Sequence, residues 1–231
     1  MKKIIILSAG PGLPEIVNKY GHSSQWIPDI LKNYNVDCEV KKIYEEESCS
    51  IDDGDAWIVT GSKYSVYDDL SWINKSLSFI DKLIKHRKPV LGICFGHQLL
   101  AKALGADVIK NPLGWELGSY KISLTDEGIE NKLFHSFEKD EIVYESHQDI
   151  ISNIPDNMKI LANSDKSIQS FQCYENIFGV QFHPEFSWEV TRMLMDLRIN
   201  KGISVDNNKL DKSKSGYKIL RNFVKILEGV S

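Results

Sequence analysis

Residues 89–105 read PVLGICFGHQLLAKALG, and this stretch holds a buried strand, a sharp turn and a helix, in that order. Val90, Leu91 and Ile93 lead into Cys94, glycines stand at 92 and 96, and the apolar run that follows closes at Gly105, a natural helix C-cap. The flanking glycines let a strand turn tightly into a helix and lift the sulfur clear of the sheet, which is the spacing of a nucleophile elbow. A helix N-terminus behind the sulfur favours the thiolate, the reactive form of cysteine. Inert burial, the ordinary state of a free cysteine, is assigned instead to Cys38, Cys49 and Cys173.

Working outward, strand and helix patterns alternate, which points to an α/β fold. Residues 4–7 (IIIL) form a first core strand closed by Gly10-Pro11-Gly12. Two lysines precede it, as in a secretion signal, but the apolar run is shorter than the 7 to 15 residues such a signal needs. SSQWIPDILKNY (23–34) reads as a helix beginning near Pro28 or a little before, and VDCEVKKIY (36–44) alternates as a strand. DAWIVTG (55–61) is a buried strand and LSWINKSLSFIDKLIKH (70–86) a helix. GSYKISLT, EIVYES, MKILANSD and QSFQCYENIFGVQF are short strands, the last a hairpin turning at Glu175-Asn176. SWEVTRMLMDLRI starts a helix capped by Ser187, and a polar loop from Asn200 to Ser215 precedes a final amphipathic helix near Tyr217 to Leu227. The expected architecture is a mostly parallel central sheet flanked by helices, with added antiparallel strands. One domain spans 1–199, and residues 200–231 pack on it as a loop and helix.

The 231 residues carry a formal charge of −4, which argues against an electrostatic nucleic-acid binder. The one basic cluster, Lys85 to Lys88, falls where a helix ends. No segment reaches the ~18 apolar residues of a membrane span. The four cysteines form no C-x-x-C pair, so reduced thiols in the cytoplasm are expected and neither a disulfide framework nor a zinc site is indicated.

A cysteine nucleophile needs a base. Of six histidines, His183 in GVQFHPEF stands out. Pro184 biases the residue before it toward extended backbone, so His183 and Glu185 project to one side, the carboxylate orienting the imidazole while the other ring nitrogen faces Cys94. The backbone N–H of Phe95 is one oxyanion donor, and the loop after DAWIVTG, at Gly61 and Ser62, supplies the second. His97 and His147 have no acid at a spacing that would orient them, and packing or substrate-shaping roles are expected. An α/β-hydrolase would place its acid before its histidine. A metal site at Cys94, His183 and Glu185 lacks usual ligand spacing.

GICFGHQLLAKALGA followed by GVQFHPE resembles the class I glutamine amidotransferase family over roughly residues 1 to 195. The resemblance implies a flavodoxin-like core, Cys94 as nucleophile, His183 as base and Glu185 as its orienter, with no cofactor or metal. It also implies that Gln98 and the segment Ser146, His147, Gln148 and Asp149 hold the α-amino and α-carboxylate groups of glutamine or another γ-glutamyl compound. Thr60 to Ser62 stand where many members have Gly-Gly-Pro, with Ser62 in place of the second glycine and Lys63 in place of the proline. TGSKYSVYD and GWELG are more similar to free-standing members of the GMP-synthase and γ-glutamyl peptidase kind. A synthetase partner receiving ammonia is the alternative.

Overall fold

The computed structural model describes residues 1–204 and 210–229, so part of the expected 200–215 loop lies outside the described residues. In chain order the elements are β1 (Lys2–Ser8), α1 (Pro14–Tyr20), α2 (Ser23–Leu31), β2 (Val36–Lys42), β3 (Ala56–Val59), α3 (Ser71–Lys85), β4 (Val90–Ile93), α4 (Phe95–Ala103), β5 (Asp107–Lys110), β6 (Glu116–Leu124), α5 (Asp126–Ile129), β7 (Asp140–His147), β8 (Asp149–Ser152), β9 (Met158–Asn163), β10 (Ile168–Cys173), β11 (Ile177–Val180), α6 (Trp188–Ile199) and α7 (Gly216–Glu228).

The main sheet has nine strands in the order β2-β1-β3-β4-β11-β10-β9-β6-β7. From β2 to β11 neighbours run parallel, and from β11 to β7 they run antiparallel. The parallel half follows the flavodoxin-like order, in which ligands bind at the carboxyl ends of the strands. Its inner strands β1, β3, β4 and β11 are apolar on both faces because helices cover both, while the edge strand β2 is partly exposed and polar. Ile4 and Ile6 of β1 pack with Ile58, Ile93 and the α7 residues Ile219 and Phe223. Ile5 and Leu7 point the other way, to Trp57, Val59, Leu83 and the α4 residues Leu99 and Leu100.

Local chemistry ends the helices where expected. Lys82 and Lys85 occupy the last turn of α3, opposing the negative end of its dipole. After α4, Gly105 takes φ +99. Its N–H reaches the Lys102 carbonyl, and that of Ala106 reaches Ala101, the double bond of a Schellman cap. Ser187 caps α6 by accepting the Val190 N–H at 3.2 Å.

Three features differ from the sequence reading. Helix α2 begins at Ser23, well before Pro28, because the His22 ring accepts the Ser24 N–H and provides the cap; Pro28 sits inside the helix. Helix α1 and the small antiparallel β5-β8 sheet have no counterpart in that reading; α1 is short and begins on Pro14, and β5 is largely exposed. The β10-β11 turn spans Tyr174 to Asn176, with Tyr174 at φ +57. The second strand of that hairpin also pairs in parallel with β4. No helix among the described residues is long and apolar enough to cross a membrane.

Candidate active site

Four adjacent strand ends build the site: β1 continues into Gly10, β3 into Gly61 and Ser62, β4 into Cys94, and β11 toward His183. Cys94 occupies φ +51, ψ −101, a region a non-glycine residue enters at a cost of about 1–3 kcal/mol. The surroundings impose it. The Cys94 N–H donates to the Val180 carbonyl at 2.9 Å, and the Cys94 carbonyl accepts from the Gln98 N–H at 3.1 Å. A methyl at Gly92 would lie 2.4 Å from the Gly96 oxygen, and one at Gly96 would lie 2.3 Å from the Val59 oxygen. Only glycine allows helix and strands to approach this closely.

His183 Nδ1–H donates to Glu185 Oε1 at 2.8 Å, and Gly61 packs against both the ring and the Cys94 side chain. Phe186 stacks on the imidazole, with centroids 3.8 Å apart and planes 10° from parallel. Burial disfavours the charged ring, but Glu185 and Cys94 together outweigh it and push His183 up to about 10. The imidazolium thus puts a positive charge against the sulfur, as a thiolate nucleophile requires. At the other cysteines burial prevails: it pushes Cys38 and Cys49 each up to about 11, at Cys49 against the opposing charge of Lys41, and raises Cys173 against Arg87.

Phe95 opens α4, ahead of the first i→i−4 bond, so its N–H has no acceptor within the helix. Gly61 lies against both catalytic candidates: a methyl there would be 2.7 Å from His183 Cε1 and 3.5 Å from Cys94 Cβ. Ser62 Oγ accepts the Tyr64 N–H at 3.3 Å. The following loop is tied down at several points. Asp149 accepts hydrogen bonds from Ser65 Oγ and, at 2.9 Å, from the Tyr67 hydroxyl. Lys102 of α4 reaches the Val66 carbonyl at 3.2 Å.

The proposed substrate residues interlock. Gln98 Nε2 donates to the Asp149 carbonyl at 2.9 Å and to Gln181 Oε1 at 3.0 Å. His147 Nδ1–H donates to the same carbonyl at 3.0 Å. The Gln148 carbonyl takes the Asn111 N–H at 2.8 Å, and Ser146 lines an open cleft that begins at His183.

His147 corrects the sequence reading, because acids do stand around it. Its Nε2 lies 3.2 Å from Glu116 Oε2 and 3.3 Å from Glu145 Oε2, an ion pair shared between two carboxylates and aligned on neither. Burial opposes its charge, yet the two acids hold His147 well above the usual histidine range. Glu145 is itself pushed up to about 7 by burial. Glu116 is kept low against burial by His147, Ser164 and Ser167. The signal for Glu145 was present in the sequence, since it precedes His147 by two residues on one strand, as Glu185 follows His183. Glu116 is found only through the sheet register, which sets it opposite His147. His97 is fully buried beside Phe171, centroids 5.0 Å apart, and burial first, then His147, drives it down to about 3. It is a neutral packing residue.

A cysteine elbow on a flavodoxin-like sheet, with a histidine and acid delivered from the neighbouring strand, defines a class, and the family comparison agrees. The model for glutamine amidotransferase class-I matches residues 15–197, and the chain belongs to that family. It is similar to a glutamine amidotransferase-like protein of Schizosaccharomyces pombe, 32% identical over 208 residues, covering 83% of this chain and 82% of that one. It is also similar to gamma-glutamyl peptidase 4 of Arabidopsis thaliana, 30% identical over 185 residues, covering 74% and 73%. Among solved structures, one described as a GMP synthase subunit from Thermoplasma acidophilum superposes with a TM-score of 0.71 at 25% identity, covering 99% of this chain and 95% of that one.

Proposed function

We propose that this chain hydrolyses the γ-amide bond of a γ-glutamyl compound through a thioester on Cys94, and does so without an attached synthetase. The supporting observation is the Glu185–His183 hydrogen bond together with the packing of both His183 and Cys94 against Gly61. The sulfur attacks the γ-carbonyl carbon, and the developing oxyanion is held by the N–H groups of Phe95 and Ser62. His183 passes its proton to the leaving nitrogen as the C–N bond breaks. Water, deprotonated by His183, then attacks the thioester; glutamate leaves and the Cys94 thiolate is restored. The γ-glutamyl part is held at the 146–149 segment, where Ser146 is open to the cleft. Gln98 and His147 position that segment through the Asp149 carbonyl.

Autonomy is supported by the ties on the Ser62 loop, since Asp149 and Lys102 hold it from within the chain. A second reading, in which the chain delivers ammonia to a separate synthetase, is favoured by the similarity to the GMP synthase component from Thermoplasma acidophilum. The test is to assay the purified chain against glutamine and a panel of γ-glutamyl amides and peptides, and to map the adduct of a diazo-ketone glutamine analogue. Turnover with labelling of Cys94 alone is expected. Labelling at Cys38, Cys49 or Cys173 overturns the assignment, and activity only on adding a synthetase from the same cell favours the second reading.

A further inference from the structure

The cleft beside His183 is larger than an ammonia leaving group requires. Beyond Gly61, Ser62 and His183 it is also lined by Leu194 and Arg198 of α6. Its walls are apolar and held in place. His22 Nε2–H donates to the Gly10 carbonyl at 2.8 Å, fixing the loop after β1. Trp26 meets Phe186 edge-on at 6.0 Å, and Phe186 stacks on His183.

Arg198 is the inner cation of this cleft. Lys63 is exposed at its rim with Nζ 5.3 Å from the Tyr64 ring centroid. Among the described residues, the one carboxylate lining the cleft is Glu185, which is engaged by His183. The Arg198 guanidinium lies over the Trp115 ring at 4.3 Å. Its Nε is buried without a hydrogen-bond partner, and it forms no ion pair with a described residue. Burial lowers its pKa, and the Cys94 sulfur is the one charged group that acts in the opposite sense. A desolvated guanidinium with free donors is suited to a carboxylate.

Position decides which carboxylate. His183 protonates the leaving nitrogen, so the amine product departs on the His183 side, into the cleft that His183 and Arg198 both line. We propose that Arg198 binds a carboxylate on the amine leaving group, making γ-glutamyl amino acids or peptides, and not glutamine, the preferred substrates. The proposal rests on the hydrolase reading above. Its α6 position, one turn after Leu194 on the same cleft wall, places the guanidinium by helix geometry.

The test compares γ-glutamylglycine with γ-glutamylglycinamide, which share the γ-glutamyl part and differ in the charge of the leaving group. The wild type should favour the acid by roughly 10- to 100-fold in kcat/KM, the effect of a hydrogen bond to a charged group. In Arg198→Gln the ratio should fall to about 1, while Arg198→Lys retains part of it. Any general effect of Arg198 on the thiolate divides out of this ratio. An unchanged ratio in Arg198→Gln overturns the proposal, as it would if Arg198 held the α-carboxylate that both compounds carry. Binding of the same two compounds to Cys94→Ala, measured by calorimetry, separates this from hydrolysis. If the wild type turns over neither compound, the hydrolase reading fails, and the subsite stands only if the acid binds more tightly and Arg198→Gln in that background abolishes the difference. Equal or undetectable binding of both overturns it.

Discussion

Gly96→Ala sets two effects of known size against each other. Alanine improves helix propensity over glycine by up to about 1 kcal/mol, which alone would raise stability. The added methyl, however, would lie 2.3 Å from the Val59 oxygen and 2.9 Å from its carbonyl carbon. Ordinary contact begins near 3.4 Å, so β3 and α4 must separate by about 1.1 Å, the difference between 3.4 and 2.3. Overpacking of this kind costs about 1–3 kcal/mol. Both partners here are backbone, on a central strand and the elbow helix, so the upper end applies. The net loss is about 2 kcal/mol, or roughly 4–8 °C in Tm for a chain of this size. Displacing Cys94 by about an ångström from His183 should also lower turnover about 100-fold. Calorimetry and initial rates on a γ-glutamyl substrate measure both. A variant with wild-type Tm and turnover would refute the account of the elbow.

His183→Ala should cost about 10³-fold or more in kcat/KM and Glu185→Gln less, because only the first removes the proton carrier. Glu185→Gln should also move the alkaline limb of the pH profile down: with that negative charge gone, His183 drops from about 10 toward its ordinary range and loses its proton at lower pH. An unmoved limb contradicts this assignment. Ser62→Gly should change kcat more than KM, because in the proposed mechanism its N–H acts on the oxyanion and not on the ground state; a pure KM effect would place Ser62 in ground-state binding. Glu145→Gln is expected to stabilise the protein at alkaline pH. A carboxyl held at about 7 in the fold and near 4.5 when unfolded contributes stability that is complete below pH 4.5 and lost as pH rises through 7. The variant's advantage should therefore grow from near zero at pH 4 to about 1–3 kcal/mol at pH 8 in urea melts; a pH-independent difference would remove the buried-acid explanation.

What the sequence determined by itself was the part of the site written in short-range spacing. The strand, cysteine and two glycines of the elbow are contiguous, and His183 and Glu185 are two residues apart, so local backbone geometry alone places these groups relative to one another. The parallel core was legible for the same reason, since buried strands and amphipathic helices carry their periods in the chain. The tertiary structure decided the relations between distant segments. It set Glu116 opposite His147 through the β6-β7 register and tied Asp149 to Ser65 and Tyr67 across 84 and 82 residues. It also brought Arg198 from a helix with no evident functional signal to the wall of the cleft. No local period encodes such meetings, because strand order and packing across the sheet determine which side chains converge, and both are settled only when the whole chain has folded.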